Sequence, residues 1–224
     1  MQIINSITAL FYKEYKIAYK NLYDILTIIL FFLLGIFIFV FSIGPNEEIF
    51  QQIGIGIIWT LLLLSNNLSI KKFYQNDFKD GNLHLLHMSG MSYELIVLVK
   101  LITNWFFLQI PFFIFIPIAC LMLNIQNDNI YLILLTFLIG SPILTSIASI
   151  SGSLNLLNNR NIEIASIIVM LLSIPVIIFS FGIIKAPPEL IKPQLSFLIG
   201  ILLLFVSITP WICAACIKIA IRNS

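Results

Sequence analysis

Six apolar runs, each about twenty residues or longer, decide what this chain can fold into. They fall near 25–43, 53–70, 95–123, 130–153, 162–184 and 195–219. A helix needs ~20 apolar residues to cross the hydrocarbon core of a bilayer. In lipid only a helix or a closed barrel satisfies every backbone N–H and C=O. The expected fold is therefore an all-α integral membrane protein, with six transmembrane helices in one domain over 1–224. Charged residues make up 10% of the chain, against about 25% in a soluble domain. A net charge of +2 is too small for a nucleic-acid partner.

Polar residues are concentrated at two places. Residues 1–23 alternate Ile3, Ile7, Leu10, Phe11, Ile17 and Leu22 with Lys13, Lys16 and Lys20. That spacing predicts an amphipathic helix lying in the membrane surface. The second place is a polar island at 71–87, within the 71–94 loop between the second and third spans. It holds Lys71, Lys72, Asp77, Lys79 and Asp80, and both histidines, His84 and His87. Asp80-Gly81 marks a turn. The leucines that follow predict a short amphipathic helix with an apolar edge to dock.

Counting Lys and Arg orients the chain. Ten lie on the side of the termini, the island and the 154–161 loop, which carries Arg160; only Lys185 and Lys192 lie on the other. Both termini and the island are then expected in the cytoplasm, or in the matrix of a mitochondrion. The acidic Gly44-Pro45-Asn46-Glu47-Glu48 turn falls on the opposite side.

Several kinds of chemistry find no support. There is no P-loop motif, no H-E-x-x-H and no G-x-S-x-G. Cys213-Ala-Ala-Cys216 lies inside a span, and Ile217 follows it rather than His; small residues facing a neighbouring helix is the better reading. Asp24, Glu94, Lys100, Asp128 and Glu163 fall near span ends, where snorkelling is cheap. No mid-span charge argues for an ion-coupled carrier. His84 and His87 stand one helical turn apart and either share a metal or haem iron or simply face water. In a loop without a pocket, Asp77 and Asp80 stay ionised. They either cap the next helix or contact cationic groups on a partner. Pro111 and Pro117 predict a third span that is kinked, or that ends early and re-enters.

The island also carries a resemblance. Tyr74-Gln75-Asn76-Asp77-Phe78-Lys79-Asp80-Gly81, followed by Leu83, Leu85 and Leu86, resembles the F-x-x-D-x-x-D-G and leucine-rich helix of haem exporter protein B. Tyr74 stands for the usual Phe. Further matches run in order: Ser42-Ile43-Gly44-Pro45, Gly56-Ile57-Ile58-Trp59, Gly140-Ser141-Pro142-Ile143-Leu144 and Ile174-Pro175. That family is the membrane subunit of the cytochrome c maturation system, within the ABC-type permeases. The resemblance implies a non-catalytic subunit of a bacterial or mitochondrial inner membrane. It implies no cofactor on this chain, ATP on a separate ATPase, and haem as the handled or exported ligand. Tyr74, Asp77, Asp80, Gly81, Leu83, Leu85 and Leu86 become the element that couples to the ATPase. Other cytochrome c maturation subunits, lipid and a second copy of the chain are the further expected partners. Two rivals remain open. One is an ATP-independent haem-binding carrier, and the other is a structural assembly subunit.

Overall fold

The computed structural model describes residues 2–20, 22–44, 46–69, 74–125, 127–157 and 162–223. The chain is all-helical there: α1 (Gln2–Lys20), α2 (Leu22–Ile43), α3 (Glu47–Ser69), α4 (Gln75–Lys79), α5 (Asn82–Met88), α6 (Tyr93–Met122), α7 (Asn127–Leu157), α8 (Ile162–Lys185) and α9 (Pro188–Arg222). Six of them, α2, α3 and α6 to α9, are long and apolar enough to span a membrane. Lys71, Lys72, Pro45 and Arg160, which entered the orientation and motif readings, lie outside the described residues.

Helix ends follow local chemistry. Ser92 caps α6, its Oγ accepting from Leu95 N at 3.3 Å. Pro188 starts α9 at a position that needs no backbone donor. Gly81 takes φ 70° between α4 and α5, a left-handed turn that favours glycine. The re-entrant alternative for the third span is corrected: α6 runs unbroken for 30 residues through Pro111 and Pro117. Each proline removes one backbone bond, yet Phe112, Ile116, Ala119 and Cys120 are buried beside them and hold the helix in place.

Two clusters form the core. The larger joins Phe32 and Ile36 of α2, Trp59 of α3, Phe112 of α6, Phe137 and Ile147 of α7, Val176 of α8 and Leu198 of α9. The second joins Leu10, Tyr74, Leu83, Tyr93, Ile96, Ile150, Cys213 and Ile217. Its position has a simple cause. At 30, 31 and 35 residues, α6, α7 and α9 measure about 45–52 Å, well over the ~30 Å hydrocarbon thickness. The start of α6 and the ends of α7 and α9 project at one end, and α1, α4 and α5 pack onto them.

Within the bundle, α7 carries buried hydroxyls every fourth residue: Ser141, Thr145, Ser149 and Ser153. Trp105 Nε1 donates to Ser141 Oγ at 3.0 Å. Gln109 Nε2 donates to Asn66 Oδ1 at 2.7 Å and to Thr145 Oγ1 at 3.4 Å. These bonds join α3, α6 and α7 where lipid offers no competing partner.

Candidate functional site

The polar island folds as two short helices, and its residues divide by direction. Tyr74, Asp77 and Leu83 point into the protein. Asp80, Gly81, Leu85, His84 and Met88 are exposed, and Leu86 is half-buried. The apolar edge expected on α5 is present: Leu83 anchors it, while Leu85 is 61% and Met88 73% exposed.

Tyr74 is the first inward anchor. Its side chain is fully buried, and its hydroxyl lies 2.6 Å from Ser149 Oγ on α7. Ser149 Oγ in turn lies 3.4 Å from Cys213 Sγ on α9. Burial pushes the phenol well above its ordinary pKa, so it keeps its proton. Tyr74 stands where the family pattern has Phe. It is more than a stand-in, because the hydroxyl makes a buried bond that Phe lacks. Tyr74→Phe should cost about 1 kcal/mol by leaving Ser149 one partner short. Thermal unfolding in detergent checks this, and an unchanged midpoint would show the bond contributes nothing.

Asp77 is the second anchor. Lys13 of α1 donates to its Oδ1 at 3.0 Å, and Asn82 Nδ2 to the same oxygen at 3.3 Å. Lys100 of α6 donates to Oδ2. Lys100 also reaches Glu14 Oε1 of α1 at 2.9 Å. Two lysines and two carboxylates thus form one neutral cluster across three segments. Burial alone would raise the Asp77 pKa. The charges and hydrogen bonds of Lys100, then of Lys13, outweigh burial and hold the carboxyl below its ordinary value. The carboxylate is ionised at neutral pH.

Three expectations are corrected here. Lys100 does not snorkel: only 2% of it is exposed, because Asp77 and Glu14 meet its charge inside the protein. The loop does border a cavity, of about 500 Å³, lined by Asp77, Asp80, Glu14, Asp24, Lys100 and Phe107 among others. The side chain of Asp80 does not cap α5. Gly81 holds the N-cap position without a side-chain bond, and Asp80 ends α4 through its own backbone N–H. Asp77 does meet cationic groups, but they belong to its own chain.

Sequence reasoning missed Glu14 and Lys100 as site residues. The available signal was weak: one acid between Lys13 and Lys16, and one lysine about two turns into a span. His87 has a structural role. Its Nδ1 lies 2.9 Å from Met91 O, and its ring stacks on Tyr93 at 4.1 Å. His84 is exposed. Among the described residues no three His, Cys, Asp or Glu side chains gather in a metal-binding group. What this arrangement suits is mechanical work. An outward apolar edge is backed by two rigid inward anchors that lead into different helices.

Comparison with known proteins agrees in length and order. The family model described as CcmB protein matches residues 5–220. The chain is similar to "Heme exporter protein B" of Haemophilus influenzae, 30% identical over 213 residues, covering 94% of this chain and 96% of that protein. It is 26% identical to "Heme exporter protein B" of Pseudomonas aeruginosa over 219 residues, 97% of this chain and 98% of the relative. For the protein of that name in Escherichia coli K12 the identity is 28% over 215 residues, 95% and 98%. These relatives are bacterial.

Proposed function

The chain belongs to the CcmB protein family, and from that premise we propose that it is the membrane subunit of a haem-export complex in a bacterial cytoplasmic membrane, driven by a separate ATPase. The names of its relatives support the haem side of this reading. The excess of Lys and Arg at one end supports cytoplasmic termini and a cytoplasmic island.

One observation carries the ATPase side. The 74–88 segment keeps Leu85 and Met88 exposed while Tyr74 and Asp77 are pinned inside. A surface helix that served only to cover the bundle would bury its apolar edge. Here that edge faces outward, as a docking contact requires. The ATPase takes hold of Leu85, Leu86, Met88 and Asp80. Its closure on ATP moves α4 and α5. Tyr74 passes the displacement to α7 and α9 through Ser149 and Cys213, and Asp77 passes it to α6 and α1. The load reaches α7 as well as α6, because the Tyr74 hydroxyl meets Ser149 on α7. Chemistry on ATP stays with the partner, and this chain is a non-catalytic subunit.

The test is affinity purification in mild detergent with Leu85→Asp and Met88→Asp together. Recovery of the ATPase should fall ~10-fold or more, as for loss of a buried interface anchor. The amount of chain in the membrane should not change. Undiminished recovery, or no ATPase recovered with the wild-type chain, ends this reading.

A further inference from the structure

We propose that α1 is a releasable arm of the coupling element, held by Glu14 and Lys100 as positioning residues. This rests on the reading that 74–88 receives force from a partner.

The apolar grip on α1 is thin. Among its described side chains, Leu10 is the one apolar residue fully buried. Phe11, Tyr12, Tyr15, Ile17 and Tyr19 are each more than a third exposed. Their exposed faces meet lipid or water whether or not α1 is docked; Tyr15, edge-on to Phe107 of α6 at 5.4 Å, and Ile7, half-buried against the second core, add partial contacts. Charge adds the two long-range polar contacts described for α1. Glu14 is 7% exposed and reaches Lys100 on α6. Its neighbour Lys13 reaches Asp77 of α4. Consecutive residues of one helix therefore grip two different elements.

Asp77 is shared between those grips. Small displacements of α4 are passed on through Asp77, and one large enough to pull its carboxylate from Lys100 also pulls it from Lys13. Lys100 is then left with Glu14 alone, and of the two ionic contacts described for α1 the one through Lys13 is lost. A neutral cluster of four charges is stable when complete. Removing one member leaves a charge in a poorly solvated place. The arrangement thus favours two states, one closed and one opened to water. The 500 Å³ cavity between α1, α2, α6 and the island gives the open state its room. Glu14 and Ala18 line it from α1, and Asp24 and Ile28 from α2. The exposed apolar residues of α1 keep lipid or water around them on release, which suits this helix to be a moving part.

The experiment places spin labels on the full chain in nanodiscs, at Ala9→Cys on α1 and Lys79→Cys on α4, both exposed. The native cysteines, Cys120, Cys213 and Cys216, are buried. Wild type should give one narrow distance distribution by pulsed electron resonance. Glu14→Gln should add a second, longer population of about a quarter or more, and Lys100→Arg should restrict α1 nearly as wild type does. A Glu14→Gln distribution that overlays wild type overturns the proposal. Should Glu14→Gln fail to give a monodisperse protein, Lys13→Ala serves in its place: it breaks the more exposed hold, and should broaden the distribution partly. An unchanged distribution in Lys13→Ala then overturns the proposal instead. Adding the ATPase and nucleotide separates the two readings. If no ATPase engages the chain, the wild-type distance stays fixed while the Glu14→Gln broadening persists.

Discussion

Lys100→Met should destabilise the folded chain by about 3–5 kcal/mol, as removal of one partner from a buried ion pair does. Methionine keeps most of the stem of the lysine and so preserves packing. It removes the charge that Glu14 and Asp77 both rely on. Asp77 keeps Lys13, whose side chain is 33% exposed; Glu14 keeps nothing comparable. Such carboxylates escape by taking up protons or by admitting water, and either route loosens the contact between α1, α4 and α6. Lys100→Arg should lose much less, because it retains the charge. The double variant Lys100→Met, Glu14→Gln should recover most of the single loss, since Lys13 and Asp77 then remain as a neutral pair. Denaturant unfolding in detergent measures all three. A Lys100→Met variant within ~1 kcal/mol of wild type, the scale of a surface pair, would mean that the cluster contributes no more than an exposed salt bridge.

That result bears on what could be read from residue order. The spans were legible because a bilayer sets one dominant constraint, and runs near 25–43 and 162–184 coincide with α2 and α8 within three residues. The ends were less legible. The 195–219 run became α9 from Pro188 to Arg222, because Pro188 opens a helix as readily as it ends one, and Lys192 lies in a stretch that need not enter lipid. The island was found from its polarity, and Asp80-Gly81 was placed correctly as a turn. The partners of Asp77 were not found. Lys100 was judged by distance from a span end, which says how far its charge must travel to reach water. It does not say whether Glu14, 86 residues earlier, spares it the journey. Pairings between distant segments are set by how helices dock, and no local period encodes them.

The hydroxyls at Ser141, Thr145, Ser149 and Ser153 illustrate the same limit from the other side. Their spacing of four is visible in the chain, but spacing alone does not tell glue between helices from a wet channel wall. The structure decides by partner: Trp105, Gln109 and Tyr74 each bond to this row. The bonds bring α3, α6 and the island against one face of α7. A displacement delivered at Tyr74 therefore meets a helix braced along its length, which moves as a unit more readily than it bends.

The bracing of α7 has a steric counterpart that gives the second large expected effect. Gly140→Val should destabilise the bundle by about 1–3 kcal/mol or more through overpacking. A Cβ on Gly140 would lie 2.7 Å from Cη2 and 3.3 Å from Cζ3 of Trp59, with Val176 Cγ1 at 3.4 Å. Trp59 cannot yield easily. Its side chain is fully buried, and its ring lies 6.4 Å from that of Phe137. Valine adds two more carbons to a contact already too short for one, so α7 must back away from α3 and α8, stretching the Trp105–Ser141 bond one residue on. Trp59→Leu in the same chain should return much of the loss by vacating the space, a coupling that independent sites would not show. Gly200 is the control. A Cβ there meets nothing within 4 Å, and alanine in a helix is favoured over glycine by ~1 kcal/mol, so Gly200→Ala should be neutral or stabilising. Thermal unfolding of wild type, Gly140→Val, Trp59→Leu, their double variant and Gly200→Ala in one detergent reads the comparison. Equal loss in Gly140→Val with and without Trp59→Leu would place the steric origin elsewhere than the indole.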